Sequence, residues 1–178
     1  MTGKLTPDVL ERLVFARTGA PNPDVEVGPA FGQDAAAVRD GDRTLVASAD
    51  PISLAAGHIG RLGVAVATND VAACGGVPEY LLVTILLPEQ DPDLLDTITA
   101  DVDQETRRIG VTVVGGHTES VAGLERPLLS LACWGFADPY VPTDGAAPGD
   151  RLLLTKGAGI EATAVLATDL RAELGLDP

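Results

Sequence analysis

Leu81-Leu82-Val83-Thr84-Ile85-Leu86-Leu87 decides the fold. The segment carries no charge and is β-branched through its middle, the pattern of a strand buried on both faces. Working outward, Pro92 to Ile109 repeats Leu94, Leu95, Ile98, Val102 and Ile109 at helical spacing. Val111–Val114 is a further strand and Leu128–Ala137 a longer, apolar one. Upstream, Gly57 to Cys74 predicts a helix that stops at Gly75-Gly76, ahead of Pro78. Its apolar stripe is Ile59, Leu62, Val66 and Ala73, flanked by Asn69 and Asp70.

Earlier still, Gln33–Val38 and Thr44–Ser48 predict a hairpin across Arg39-Asp40-Gly41-Asp42-Arg43. Thr6 and Pro7 predict an N-cap and first residue of a helix to about Thr18. Gly19 to Gly32 is too rich in glycine and proline for regular structure. After Gly145-Ala146-Ala147-Pro148-Gly149-Asp150, Arg151–Thr155 predicts a last strand, and Lys156-Gly157-Ala158-Gly159 leads into a final helix. The order predicts an α+β domain, a mixed sheet with helices on one face. Residues 1–148 form that domain in this reading, and 149–178 open a second one.

Composition narrows the function. With 46% hydrophobic but only 3% aromatic residues, the core is built from Val, Leu, Ile and Ala. Twenty-six acidic residues against 12 basic ones give a formal charge of −14. Lys4 and Lys156 are the only lysines. Such a surface repels nucleic-acid phosphates and anionic membranes, so neither is an expected partner. It also suits a high-salt interior, where screening removes self-repulsion. Cys74 and Cys133 stand singly in apolar segments, without zinc spacing, and predict buried free thiols in a reducing compartment. Met1 to Leu10 is polar and no apolar run approaches a membrane span, so a cytoplasmic location is expected.

The chemistry rests on acids at the ends of elements. Asp34 follows a glycine-rich loop, Asp50 closes a strand in Ser48-Ala49-Asp50-Pro51, and Asp70 borders the buried stripe of its helix. Singly, Asp34 and Asp50 are ordinary turn aspartates. A carboxylate beside an apolar stripe, however, costs free energy without compensation, and several together call for a cation. Oxygen ligands without a Cys or His cluster favour magnesium, which usually arrives with a phosphate ligand. Gly28-Pro29-Ala30-Phe31-Gly32 can aim backbone amides at an anion, and so can Gly157-Ala158-Gly159 ahead of its helix. Gly115-Gly116-His117-Thr118-Glu119, predicted as a turn after a strand, allows close backbone approach. No P-loop, GxGxxG, GxSxG or HExxH pattern is present.

Gln33-Asp34-Ala35-Ala36-Ala37-Val38, Asp50-Pro51-Ile52, Ala67-Thr68-Asn69-Asp70-Val71-Ala72-Ala73, Gly115-Gly116-His117-Thr118-Glu119 and Gly145-Ala146-Ala147-Pro148-Gly149-Asp150 occur in that order. Together they resemble the aminoimidazole ribonucleotide synthetase (PurM)-related superfamily. Within it the run as far as Thr155-Lys156-Gly157-Ala158-Gly159-Ile160-Glu161 looks most like the hydrogenase maturation protein HypE and its uncharacterised relatives. The reactive Cys or selenocysteine near the amino terminus of selenophosphate synthetase has no counterpart, since Cys74 comes first. The carboxyl-terminal cysteine that accepts a carbamoyl group in HypE is also not found by Pro178.

The resemblance implies an N-terminal ATP-binding domain whose sheet pairs with that of a second subunit into a β-barrel. ATP would lie along the dimer groove with magnesium on its phosphates. Asp34, Asp50 and Asp70 would be the metal acids, and Gly32, Asn69, Gly115, Gly116, His117 and Thr118 would line the nucleotide. The implied activity is ATP-dependent activation of a small-molecule or carbamoyl-type oxygen, given a C-terminal domain or partner subunit. A truncated, inactive nucleotide-binding or dimerisation module and a thiamine-monophosphate kinase-like phosphotransferase are the alternatives.

Overall fold

In the computed structural model, residues 4–53, 55, 57–172, 174 and 175 are described. One sheet of six strands organises them, in the order β1-β2-β3-β6-β4-β5. The strands are β1 (Val25–Val27), β2 (Ala36–Asp40), β3 (Arg43–Ile52), β4 (Gly76–Leu87), β5 (Thr112–Ser120) and β6 (Leu128–Ala137). β4 and β5 run parallel and every other pair antiparallel, so the sheet is mixed. The helices are α1 (Pro7–Leu10), continued by a π-helical turn at Glu11–Phe15, then α2 (Ile59–Ala73), α3 (Pro92–Ile109) and α4 (Ile160–Asp169).

α3 has the predicted bounds because both ends are chemically marked. The Asp91 carboxylate accepts from the amides of Asp93 and Leu94, Pro92 fills the first turn, and Gly110 takes the left-handed cap at φ 78°. α2 packs closer to the sheet and to α3 than its large residues suggest. A Cβ on Gly60 would lie 2.5 Å from the Ile98 carbonyl oxygen, and one on Gly63 would lie 2.7 Å from Leu131 Cδ1. The buried face therefore runs through Gly60, Gly63, Val64, Ala67, Thr68 and Val71, and Ala73, expected inside, is exposed. Small residues, not the most apolar ones, set the line of closest approach.

The core lies between the sheet and α2 and α3. Val46, Val64, Val71, Leu81, Leu129, Leu131 and Cys133 are fully enclosed there. On β4 the burial alternates: Leu81, Val83, Ile85 and Leu87 face the helices, while Leu82 on the other face stays 40% exposed. The expectation of burial on both faces is thus corrected to one face within a single chain. The opposite face carries Tyr80 against Trp134, ring centroids 5.7 Å apart, and Arg43 over the Phe136 ring at 3.8 Å.

Other expectations also need correction. β4 begins at Gly76 and runs through Pro78, since β5 joins it only from Tyr80 and the register with β6 shifts between Pro78 and Tyr80. β1 forms inside the loop predicted to be irregular, pairing with β2. Residues 151–155 take no strand, and Leu152 and Leu153 are almost wholly exposed. No helix among the described residues is long and apolar enough to cross a membrane.

Candidate functional site

On β3 the helix-facing side carries Val46, Ser48, Asp50 and Ile52 at period two. Asp70, one turn from the end of α2, comes down onto the same place. The Ser48 hydroxyl donates to Asp70 Oδ2 at 2.9 Å and lies 3.2 Å from Asp50 Oδ2. Burial raises the Asp70 carboxyl to about 6, opposed by the Ser48 hydrogen bond and reinforced by the hydrogen bond and charge of Asp50 and by the charge of Asp34. The three acids singled out in the sequence therefore share one electrostatic environment.

They are not equivalent. Asp50 and Asp70 form a carboxyl pair fixed by a strand and a helix, whereas Asp34 sits in the loop two residues ahead of β2 and acts through its charge. Among the described residues, no Lys, Arg or His pairs with any of the three, and no three His, Cys, Asp or Glu side chains are grouped closely enough to hold a metal ion. A pair of half-buried carboxylates with only oxygen donors fits magnesium, which commonly takes one or two carboxylates and draws its other ligands from phosphate and water.

Next in sequence to Asp70, Asn69 is exposed on α2. Gly32 holds φ 84°, a left-handed conformation, and its carbonyl accepts from the Thr143 hydroxyl at 3.0 Å. That bond ties the glycine-rich loop to the segment after β6, close in sequence to Asp34.

Gly115 to Glu119 is strand, not turn. It forms the middle of β5, beside a register shift opposite Leu81 and Leu82. There the two backbones approach so closely that a Cβ on Gly116 would fall 1.8 Å from the Val83 carbonyl oxygen. Glycine is required at 116 by packing before any ligand is considered. His117 pairs with Thr84 across the ladder, and its Nε2 lies 3.5 Å from Glu119 Oε2, both side chains exposed. Between β5 and α3 a cavity of about 440 Å³ opens, walled by Val83, Ile85, Val102, Gly116 and Thr118.

β5 lies at the far edge of the sheet from β2, with β6 and β4 between it and β3. Three strand spacings, about 14 Å along the sheet, separate the Asp50 strand from the glycine strand. One chain thus gathers Asp34, Asp50 and Asp70 and keeps Gly115, Gly116, His117 and Thr118 apart from them. Ser48 was not assigned a role from the sequence. The available signal was its position two residues before Asp50 on one strand, which puts both on the same face.

Residues 32–137 match the family described as AIR synthase related protein, N-terminal domain. The selenide, water dikinase of Nitratidesulfovibrio vulgaris (strain DSM 19637 / Miyazaki F) is 36% identical over 181 residues, covering 92% of this chain and 49% of that protein. Carbamoyl dehydratase HypE of Escherichia coli (strain K12) is 29% identical over 149 residues, covering 79% of this chain and 44% of that protein. A solved structure of hydrogenase maturation protein HypE in complex with ATP superposes with a TM-score of 0.56 at 26% identity, covering 83% of this chain and 45% of that one. The chain spans about half the length of the curated relatives it matches.

Proposed function

This chain belongs to the AIR synthase related family, and from that membership we propose that it is a magnesium–ATP-binding domain serving ATP-dependent activation of a small-molecule or carbamoyl-type oxygen. The observation that carries the reading is the Asp50–Asp70 pair under the charge of Asp34, with no cationic partner among the described residues. Like charges held at one half-buried point favour a divalent cation over vacancy. Bound there, magnesium–ATP supplies the phosphoryl group and the charge neutralisation that its transfer needs. In this reading Asp50 and Asp70 hold and orient, Asp34 adds field from its loop, and Asn69 and Gly32 would contact the nucleotide.

The separation of β5 from the acids supports a two-chain site. A second copy, presenting Gly115, Gly116, His117 and Thr118 from its own edge strand, would complete the nucleotide pocket, with the sheet faces pairing as in the barrel that the family resemblance implies. The uncovered face around Tyr80, Leu82, Trp134 and Phe136 favours such pairing, because an apolar sheet face left in water is an association surface. Residues 1–148 are the nucleotide domain in this reading, and 149–178 begin a second domain, consistent with the bare Leu152 and Leu153.

Melting temperature with magnesium alone, ATP alone and both together tests the proposal. Stabilisation by the combination beyond the sum of the two is expected. A combination no better than ATP alone would remove the metal from the reading.

A further inference from the structure

Ser48 is only 8% exposed, and its hydroxyl lies within hydrogen-bond distance of both the Asp50 and the Asp70 carboxylates. The other buried hydroxyl nearby, Thr68, is spent on its own helix, donating to the Val64 carbonyl at 2.7 Å. Ser48 instead joins a residue two along its strand to one 22 positions away on α2. We propose that Ser48 is the positioning residue of the acid site, holding one oxygen of Asp50 and one of Asp70 at a shared point so that strand and helix present the two carboxylates as a single divalent-cation hold. This rests on the magnesium–ATP reading above.

The hydrogen count supports the role. A hydroxyl carries one rotatable hydrogen, so it donates to Asp70 at 2.9 Å or to Asp50 at 3.2 Å in turn and keeps both carboxylate oxygens within its reach. Here the geometry keeps two carboxylates close at the expense of mutual repulsion, and that is useful where a cation draws on both. Without the hydroxyl, Asp70 is free to swing toward solvent and Asp50 to turn along its strand, so the two ligands would have to be gathered again each time a cation binds.

The test uses Ser48→Cys, which nearly keeps the volume but is a weak donor, with Ser48→Ala and Ser48→Thr. ATP is titrated calorimetrically with magnesium present and with magnesium removed by chelation. Cys and Ala should each weaken magnesium-dependent ATP affinity about tenfold, a change of about 1.4 kcal/mol, and leave the magnesium-free affinity alone. Thr, which keeps the hydroxyl, should restore the wild-type ratio. A folded Ser48→Cys chain with the wild-type ratio overturns the role of Ser48 while leaving the metal site standing. A wild-type chain without magnesium dependence overturns the metal site itself. Failure of both Cys and Ala variants to fold would show the hydroxyl to be structural and would end the proposal.

Discussion

Replacing Asp70 with Asn should stabilise the ligand-free protein and weaken its response to magnesium–ATP. The native state raises the Asp70 carboxyl from 3.8 to about 6, so it holds the proton more tightly than the unfolded chain does. A raised acid favours the folded state at low pH, and this advantage is lost as pH climbs through the interval between 3.8 and about 6. At pH 7.5 the ionised carboxylate is therefore a net cost. The shift of about two units corresponds to a ceiling of about 3 kcal/mol, and solvent screening at this half-buried position reduces it to about 1–2 kcal/mol. Asn is neutral at every pH and still accepts from Ser48. Its melting temperature at pH 7.5 should rise by about 3–6 °C for a chain of this size. The gain should shrink as pH falls toward 4, where the wild-type carboxyl is protonated as well. Scanning calorimetry at pH 7.5 and pH 4.5 measures both, and adding magnesium–ATP shows whether ligand stabilisation falls by about 1.4 kcal/mol for a tenfold loss of affinity. A variant that melts below wild type at pH 7.5, or a difference independent of pH, would refute the account of Asp70 as an acid that burial destabilises in its ionised form.

Glu105→Gln should destabilise by about 1–3 kcal/mol, because Glu105 is buried and the hydrogen bond from Arg108, helped by Arg61, holds its carboxyl below the ordinary value. A lowered acid stabilises above its unfolded value and loses that contribution as pH falls through the folded one, so urea midpoints of the variant and wild type should converge on acidification. Gly116→Ala should disrupt the β4–β5 ladder, since its Cβ would meet the Val83 carbonyl at 1.8 Å; hydrogen exchange that leaves the Leu82 to Ile85 amides protected would contradict this. Light scattering across a salt series should show a dimer that tightens with salt, because −14 charges per chain are screened and apolar burial is favoured. A folded monomer at micromolar concentration and high salt would count against it. Mixing Asp70→Asn with His117→Ala chains should restore about a quarter of wild-type nucleotide sites, the share that random pairing leaves with both halves intact in a two-fold dimer; no recovery would place both halves of the site in one chain.

Much of the fold was legible because its signals were local. Asp91, Pro92 and Gly110 bound α3, and the apolar run of β6 is broken only by Ser130. That Asp34, Asp50 and Asp70 come under one another's charge was legible from the order of the elements, since a hairpin and the next helix bring neighbouring segments together. What escaped depended on partners distant in the sequence. The Gly115-Gly116 pair has turn composition, and only the parallel neighbour β4 makes it strand. Pro78 looked like a stop, yet it lies beyond the stretch where β5 joins β4. The inward face of α2 follows Gly60 and Gly63, whose importance lies in what Ile98 and Leu131 bring against them. Residues 151–155 have a strand's composition but no described strand to pair with, and composition alone does not make a ladder. Ser48 was invisible as a bridge until β3 and α2 were brought together, because nothing in its neighbourhood names Asp70.

Isothermal titration of the wild-type chain with ATP, with magnesium and after its removal, tests the central claim most directly. The account predicts saturable binding that tightens at least tenfold with magnesium and that loses this gain in Asp50→Asn and Asp70→Asn. Binding of ATP with equal affinity in the presence and absence of magnesium, or a magnesium effect untouched by either substitution, would contradict it.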